Sequence, residues 1–387
     1  MATYRNIRKV LNLPTLSASP SSGVNGEMYF NTTDLALFIY DGEWKKVTQS
    51  ATTPTYDWTT TAQQAKIVSS DLQVGDDFGY SVALEGDTAV VGARYEDTGG
   101  TSAGSVYVFT RSGTSWSQQA KLNASDAAGG DYFGHDVAIS GNTVVVGAER
   151  EGGTSNDGAA YVFTRSGTSW SQQAKIQSSD LEAGDKFGRA VAIDGDTIVV
   201  GAYAEDTGGS DAGAAYVFTR SGTSWSQQAK IQSSDIEAAD LFGNDVAISG
   251  DTVVVGAHYE DTGGSSAGSV YVFTRSGTSW SQEAKLQPSD VAAGDEFGYS
   301  VAIEGDILAV GARYEETGAT DGGSAYIFTR SGTSWSQQVR VISSDIEATD
   351  RFGYDVGISG NTLLVGAEGE DGGFSSDAGA AYTFVAG

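Results

Sequence analysis

Several residue types are absent or scarce in this sequence. It has no cysteine, 4 prolines and 2 histidines in 387 residues. A chain without cysteine forms no disulfide framework and offers no thiol nucleophile. The two histidines, His135 and His258, fall in different repeats of the chain, so they do not indicate a shared catalytic centre.

Positive charge is also scarce. The sequence has 22 lysines and arginines against 50 aspartates and glutamates, for a net charge of −28. This balance argues against nucleic-acid binding and against binding to anionic membranes, because both need basic surfaces. Residues 1–50 hold five cations and four anions, whereas residues 51–387 hold 17 and 46. We therefore expect two modules of different character.

Long hydrophobic runs are absent as well. No apolar stretch reaches the length of about 18 residues that a membrane-spanning helix needs. The N-terminal sequence MATYRNIRKVLNLP also lacks an apolar run typical of a signal peptide. Hydrophobic residues still make up 39% of the chain, enough for a core. We expect a soluble, folded protein that is made in a cytoplasm and is not inserted into a membrane.

The sequence is rich in repetition. Phe-Gly recurs every 54 or 55 residues, a Gly-Ala follows each copy at constant spacing, and TRSGTSWSQQAK at residues 110–121 returns four more times with few changes. Such a period indicates a repeat architecture, here of six units. The Phe-Gly copies begin at Phe78, Phe133, Phe187, Phe242, Phe297 and Phe352.

Each unit is predicted to contain four short strands, as residues 78–123 illustrate. FGYSVAL and TAVVGARY are separated by Gly86-Asp87, a hairpin signal because such residues tolerate positive φ. GSVYVFTR follows a loop rich in glycine and serine, and SWSQQAKL follows a Ser-Gly-Thr-Ser turn. Four antiparallel strands per unit of about 50 residues are typical of a β-propeller blade.

The last unit lacks its fourth strand, because the chain ends where that strand should begin. A related pattern, WTTTAQQAKI, stands at residues 58–67, before the first unit. In our interpretation Trp58 corresponds to Trp116, and this strand completes the last blade and closes the ring. The predicted fold class is all-β, a six-bladed propeller of four-stranded blades.

The repeat resembles the FG-GAP family in its Phe-Gly and Gly-Ala dipeptides and in its Trp-x-x-x-x-Lys strand. The resemblance covers about residues 58–387 and implies a β-propeller. It is closer to the bacterial and phage type, which has a Tyr-Val-Phe strand, than to the integrin α-chain propeller. No proline follows Gly-Ala here, and the sequence has no Asp-x-Asp-x-Asp-Gly loop of the kind that binds calcium in integrin-type repeats.

Most of the repeated residues are predicted to be structural. We expect the six phenylalanines in the core, the glycines beside them at close backbone approaches or at unusual φ, and the tryptophans in packing contacts. Each Phe-Gly is preceded by two aspartates, such as Asp71 and Asp76, then Asp126 and Asp131. We interpret these pairs as turn caps and predict no cofactor. The alternative is a calcium site, because hard cations bind carboxylate oxygens.

The blades differ mainly on one face of the predicted disc. The loops between strands one and two and between strands three and four are almost invariant, whereas the other two loops vary after Phe-Gly and after Gly-Ala. Tyrosine, arginine and histidine on a rigid scaffold favour recognition, and functionless drift is the alternative. The predicted receptor-binding residues are Tyr80, Arg94, Tyr95, His135, Arg150, Arg189, Tyr203, Asn244, His258, Tyr259, Tyr299, Arg313, Tyr314 and Tyr354.

The first fifty residues form a separate pattern. Residues 26–47 are predicted to fold as a small β-meander, too small for a stable core of its own. The segment resembles a short module of bacteriophage tail-fibre and virion appendage proteins, with Gly-x-x-Tyr-Phe-Asn-Thr-Thr followed by Tyr-x-Gly-x-Trp. We predict a virion-anchoring module at residues 1–47, a linker at 48–57 and the propeller at 58–387.

These features together predict a non-catalytic bacteriophage structural protein: a tail fibre, spike or capsid decoration. Its N-terminal module would bind other virion proteins and its propeller a host-surface glycan or protein, and by analogy with fibres the chain would form a homo-oligomer, such as a trimer. The protein would be assembled in the host cytoplasm and exposed outside the cell on the particle. The alternatives are a cellular adhesion or scaffold propeller, a purely structural decoration and a polysaccharide hydrolase. No catalytic residues are predicted, because we find no singular carboxylate pair that breaks the repeat.

Overall fold

The structure is a computed structural model, and it describes residues 15–16, 28–31, 36–40, 44–46, 65–71, 73–316, 318–370 and 379–386. The chain divides into two compact units, residues 1–63 and residues 64–387. Strands and loops make up the described residues, and none of these residues belongs to a helix that could cross a membrane.

The first unit contains a small four-stranded sheet. Its strands Met28–Asn31, Ala36–Tyr40 and Trp44–Lys46 pair in antiparallel order as the predicted meander. A two-residue strand that sequence analysis missed, Thr15–Leu16, pairs in parallel with Met28–Asn31. The predicted linker, residues 48–57, lies outside the described residues.

The second unit is a six-bladed β-propeller. The first strands of its blades are Phe78–Glu85, Val137–Ser140, Val191–Asp194, Val246–Ser249, Phe297–Glu304 and Phe352–Ser359. The second strands are Thr88–Ala93, Thr143–Ala148, Thr197–Ala202, Thr252–Ala257, Ile307–Ala312 and Thr362–Ala367.

The outer strands continue the same order. The third strands are Ser105–Ser112, Ala159–Ser166, Ala214–Ser221, Ser269–Ser276, Ser324–Ser331 and Ala380–Val385. The fourth strands of blades 1 to 5 are Ser115–Leu122, Ser169–Ile176, Ser224–Ile231, Ser279–Leu286 and Ser334–Val341.

Each blade is an antiparallel meander in chain order. The first strands of successive blades contact one another from blade 1 to blade 6, so they surround the propeller axis and the fourth strands lie at the rim. The predicted all-β fold with four-stranded blades is confirmed. In blade 6 the described sheet has three strands. Of the predicted closing strand, residues 58–64 lie outside the described residues, and residues 65–67 are not in a strand.

Five hydrophobic cores join successive blades. Between blades 1 and 2, Val90 and Val108 pack with Val137 and Val146, and the same positions recur in the next four cores. Valine is frequent there because β-branched residues suit strands buried on both faces.

The phenylalanines of Phe-Gly are buried in these cores, as predicted, in blades 2 to 6. Phe133 shows the arrangement, with its ring centroid 5.4 Å from that of Tyr161 and 5.9 Å from that of Phe163. Each such side chain contributes roughly 1.5–3 kcal/mol by its burial. Phe78 of blade 1 is only half-buried.

The glycine of Gly-Ala permits a close approach between blades. A methyl group on Gly147 would lie 2.1 Å from the carbonyl oxygen of Gly188, the glycine of the next Phe-Gly. Four other blade boundaries repeat this contact. A side chain of any size on the glycine of Gly-Ala would therefore push neighbouring blades apart, a role that sequence analysis missed. The role predicted for the glycine of Phe-Gly is confirmed, because Gly188 lies at this approach and has a positive φ of 89°.

The boundary between blades 6 and 1 differs from the other five. Val82 of blade 1 is 67% exposed, whereas its equivalent in blade 2, Val137, is 5% exposed. Leu364 of blade 6 is 48% exposed, whereas its equivalent Val145 is fully buried. Within the described residues no hydrophobic core joins these two blades. Closure of the ring by residues 58–67 stays a prediction.

Candidate recognition surface

The two variable loops of the repeat lie on the same face of the propeller. The loop after the second strand of blade 1 runs alongside the loop that enters blade 2, where Tyr132 N donates to Ser102 O at 3.3 Å and Phe133 N donates to Ala103 O at 2.9 Å. Equivalent bonds recur at the next boundaries. We call the surface formed by these loops the variable face.

The six residues that follow Phe-Gly meet around the axis on this face, and we call them the axial ring. Its members are Tyr80, His135, Arg189, Asn244, Tyr299 and Tyr354. A turn positions each side chain, because the backbone N–H donates to the carbonyl three residues earlier, as from His135 to Tyr132 at 3.0 Å.

Contacts connect the axial ring from blade to blade. Nη1 of Arg189 lies 2.9 Å from Nε2 of His135, and Nη2 of Arg189 donates to Oδ1 of Asn244 at 3.3 Å. Nδ2 of Asn244 donates to the carbonyl of Tyr299 at 3.1 Å. The rings of Tyr80 and His135 are 5.2 Å apart, as are those of Tyr299 and Tyr354.

Burial distinguishes the predicted residues that a ligand can reach from those that only support them. His135, Asn244 and His258 are buried. Burial lowers the pKa of His135 to about 4 and that of His258 to about 3, so both imidazoles are neutral at pH 7. Tyr80 and Tyr259 are exposed by more than a third. His135, Asn244 and His258 therefore support neighbouring side chains, and receptor binding by the predicted residues stays a prediction.

Blades 1 and 5 carry the same arginine stack. The guanidinium of Arg94 lies 3.4 Å from the ring centroid of Tyr80 and 4.5 Å from that of Tyr95, while its Nε donates to Asp77 at 3.0 Å. In blade 5 the guanidinium of Arg313 lies 3.7 Å from Tyr299 and 4.6 Å from Tyr314. Stacking and the carboxylate partners together fix these guanidinium groups.

A charged cluster occupies the boundary of blades 2 and 3. Oε2 of Glu149 is 3.5 Å from Nη1 of Arg189 and 3.7 Å from Nε2 of His135, and Oε1 is 3.8 Å from Nε of Arg150. Arg150 is exposed, and its guanidinium lies 4.4 Å from the ring centroid of Tyr132. Although burial opposes ionisation, the surrounding cations keep the pKa of Glu149 below its usual value.

Sequence analysis missed one set of variable residues, those immediately before Phe-Gly. All six adopt a left-handed backbone, with φ between 54° and 60°, yet none is glycine. They are Asp77, Tyr132, Lys186, Leu241, Glu296 and Arg351. The same position carries an acidic, an aromatic, a basic or an aliphatic side chain, although the left-handed backbone is unfavourable for each of these residues. Variation beside an invariant dipeptide is the signal that was available in the sequence.

Sequence analysis also missed three aspartates next to the axial ring, in alternate blades: Asp136, Asp245 and Asp355. Oδ2 of Asp136 accepts a bond from Val191 N of the next blade at 2.7 Å, and Oδ2 of Asp245 accepts one from Val301 N at 2.7 Å. Asp136 and Asp245 are enclosed by blades but keep partial contact with solvent along the axis. Burial raises the pKa of both to about 7.

The aspartate pairs before Phe-Gly are engaged within the protein. Nζ of Lys121 donates to Asp71 at 2.6 Å and to Glu96 at 3.0 Å. The ammonium group of Lys121 therefore occupies the position that a bound metal cation would take. Asp126 binds Lys175 in the same way. The second aspartate caps its own loop, as Asp76 does for Gln73 N and Asp131 for Ala128 N. Among the described residues no group of acidic or histidine side chains has metal-site geometry.

Two loops contain Gly-x-Ser-x-Gly, at Ser102 and Ser266, a pattern that also occurs around catalytic serines. Both serines have a left-handed backbone, but so do Asn156, Asp211 and Asp321 at the equivalent positions. Within the described part of the chain neither serine has a histidine hydrogen-bond partner. A turn role accounts for the pattern.

Comparison with known families identifies the repeat. The FG-GAP repeat family matches residues 61–109, 116–163, 170–218, 225–273, 280–328 and 335–384. Each of the last five matched segments runs from a fourth strand into the third strand of the next blade. The first begins at Thr61, and the Gln-Gln-Ala-Lys spacing agrees, so our equivalence of Trp58 with Trp116 is wrong by three residues. No curated protein is significantly similar to the chain.

Proposed function

The chain belongs to the FG-GAP repeat family, and on that basis we propose that its propeller is the non-catalytic receptor-binding part of a bacteriophage virion protein. The receptor is a glycan or protein on the host surface. The variable face is the binding surface, and the N-terminal unit attaches the chain to other virion proteins. The protein functions outside the cell, as a homo-oligomer on the particle.

One observation carries the proposal: the repeat is nearly invariant except where its loops converge. The variable face carries six arginines and lysines at repeat positions that are not basic in every blade. They are Arg94, Arg150, Lys186, Arg189, Arg313 and Arg351. In a chain of net charge −28, tyrosines and arginines gathered on one rigid face favour binding over drift.

The non-catalytic part of the proposal rests on the ionisable groups of this face. Both histidines are buried, and the carboxylates Asp77, Glu296 and Glu368 are bound to Arg94, Arg313 and Arg351. The two acids of raised pKa beside the axial ring, Asp136 and Asp245, accept hydrogen bonds from backbone N–H groups of the next blade. Hydrolysis of a glycan needs an acid and a second carboxylate flanking one bond, and carboxylates engaged in these contacts favour a structural role.

The virion part of the proposal rests on the N-terminal sequence. Its meander of Met28–Asn31, Ala36–Tyr40 and Trp44–Lys46 carries the motif that resembles phage appendage modules. The first fifty residues lack the acidic excess of the propeller, in keeping with a docking role. A cellular adhesion protein and a purely structural decoration are the competing assignments.

The proposal is tested with the purified full chain. We expect saturable binding to one or more bacterial strains or to a glycan array, unchanged by calcium, and no release of sugar from host polysaccharides. We also expect antibodies against the chain to label phage particles. The receptor-binding role is contradicted if no cell or glycan binds on a broad panel, and the non-catalytic assignment is contradicted by sustained hydrolysis.

A further inference from the structure

Two variable residues from neighbouring blades stand at each joined blade boundary, and we call them a boundary pair. One is the second residue after Gly-Ala, and the other is the left-handed residue before the next Phe-Gly. The pairs, from blade 1 onward, are Tyr95 with Tyr132, Arg150 with Lys186, Ala204 with Leu241, Tyr259 with Glu296, and Tyr314 with Arg351. Each boundary therefore offers a different chemistry on the same backbone.

The first boundary pair is aromatic and lines a cavity. The rings of Tyr95 and Tyr132 meet edge to face with centroids 5.0 Å apart. They border an open cavity of about 290 Å³, whose other lining includes Ser102 and two acidic residues, Asp76 and Asp97. This volume is near the lower end for small-molecule sites, roughly 300 Å³, and suits a single sugar ring. Tyrosine faces and carboxylate oxygens are suitable partners for its C–H groups and hydroxyls.

The second boundary pair is cationic. Lys186 is half-buried, and its ammonium group forms no ion pair or hydrogen bond with any described residue, unlike the guanidinium groups of the other five cations of the variable face. Burial lowers the pKa of Lys186, with Glu149 opposing that shift. Arg150 and Arg189 both lie within 4 Å of the carboxylate of Glu149. Three cations thus surround one carboxylate, leaving a local positive excess.

The two boundary pairs form one continuous surface through Arg150. Its guanidinium lies 4.4 Å from the ring centroid of Tyr132, and its Nη1 donates to the hydroxyl of Tyr132 at 3.2 Å. Tyr132, which lines the sugar-sized cavity, therefore also supports a neighbouring cation. A ligand bound against Tyr132 has its substituents directed within reach of Arg150.

We propose that this surface binds an acidic saccharide, with a sugar ring against Tyr95 and Tyr132 and its anionic group toward Arg150 and Lys186. Electrostatics limits the ligand to isolated charges, because residues 51–387 carry 17 cations and 46 anions and repel dense polyanions. Screening confines the attraction of the cations to about 8 Å at physiological salt. The inference rests on the proposed receptor-binding function and names its ligand class and position.

The test is a titration of the full chain with glucuronic acid and N-acetylneuraminic acid, and with glucose and galactose as neutral counterparts. We expect an acidic sugar to bind at least about tenfold more tightly than the neutral ones, and added salt to weaken it. Equal affinity for acidic and neutral sugars, or no binding of either acid at millimolar concentration, overturns the inference.

Leucine variants locate the site, because Leu241 already occupies the equivalent left-handed position with φ of 55°. Tyr132→Leu and Lys186→Leu should each weaken binding of the acidic sugar about tenfold or more. Arg351→Leu is the matched control, since that cation at the same position is paired with Glu368 at 2.9 Å. Unfolding curves check that all three variants fold. Unchanged affinity in Tyr132→Leu and Lys186→Leu contradicts the assigned position.

The same variants separate this inference from the proposed function. If Lys186→Leu binds host cells with the same affinity as the parent chain, the acidic-saccharide site is wrong and receptor binding stands. The same conclusion follows if treatment of the host cells with protease, but not with periodate, abolishes binding. If the acidic sugar binds at Lys186 but no host cell does, the ligand class is correct and the receptor role fails.

Discussion

At the scale of the residue, contacts between blades decide which positions tolerate change. The sequence predicted close approach at the glycine of Phe-Gly, and the structure identifies its partner as the glycine of the preceding blade's Gly-Ala, which sequence analysis missed. The left-handed residues Tyr132 and Lys186 could not be predicted, because each lies where the chain is bound to a loop of the preceding blade, through Tyr132 N at one boundary and Phe187 N at the next. Local propensity alone would disfavour these residues there.

Gly147→Ala should destabilise the propeller. The added methyl group would lie 2.1 Å from the carbonyl oxygen of Gly188, so blades 2 and 3 must separate. We expect a loss of about 1–3 kcal/mol in the free energy of unfolding, measured by denaturant titration. Gly366→Ala is the control, because its nearest neighbour atom would be 3.7 Å away. Equal losses in both variants would contradict the close-approach account.

Calcium should not stabilise the chain. The hydrogen bond from Lys121 lowers the pKa of Asp71, so the carboxylate is charged and already paired with an ammonium. We expect the same Tm in millimolar calcium and in excess chelator, measured by differential scanning calorimetry. A rise of several degrees with calcium would revive the metal-site interpretation.

At the scale of the element, the strands and the number of blades could be predicted from the repeat. The contacts that close the ring between blades 6 and 1 could not. Trp170 Nε1 donates to Gln119 of the preceding blade at 2.8 Å, and three later tryptophans repeat this bond to the equivalent glutamine or glutamate. In the same register, the hydrogen-bond acceptor for Trp116 would be Gln64 of the predicted closing strand. Packing of the repeated residues is therefore confirmed in blades 2 to 5, and the closing contact is an extrapolation from them.

Removal of the predicted closing strand should destabilise the propeller more than removal of the N-terminal unit before it. A chain beginning at residue 58 keeps the residues equivalent to a fourth strand, whereas a chain beginning at residue 68 would leave the outer edge of blade 6 unpaired. We expect the shorter chain to unfold at a lower temperature and to aggregate. Equal Tm values for the two chains would show that residues 58–67 do not close the ring.

At the scale of the whole molecule, buried acids make stability depend on pH. Burial raises the pKa of Asp136 and Asp245 to about 7, and that of Asp185, Asp240 and Asp295 to about 6. The folded state thus holds protons that the unfolded state releases near pH 4. The contribution of these groups is complete below that pH and is lost as the pH rises through 6 and 7.

We expect the Tm to fall by about 5 °C or more between pH 5 and pH 8. Repulsion within a chain of net charge −28 acts in the same direction. The variant Asp136→Asn with Asp245→Asn should show a shallower dependence, whereas Asp87→Asn, at an exposed turn, should not alter it. A Tm that rises with pH over this range would contradict the assignment of protonated buried acids.

The most direct test of the central claim compares the two faces of the propeller in one binding measurement. The full chain is compared with a variable-face variant, Tyr80→Ala, Arg94→Ala and Tyr95→Ala, and with an opposite-face variant, Ser166→Ala and Thr168→Ala. The account predicts that saturable binding to host cells is lost only in the variable-face variant while both variants stay folded. Equal binding by all three chains, or loss in the opposite-face variant alone, would contradict it.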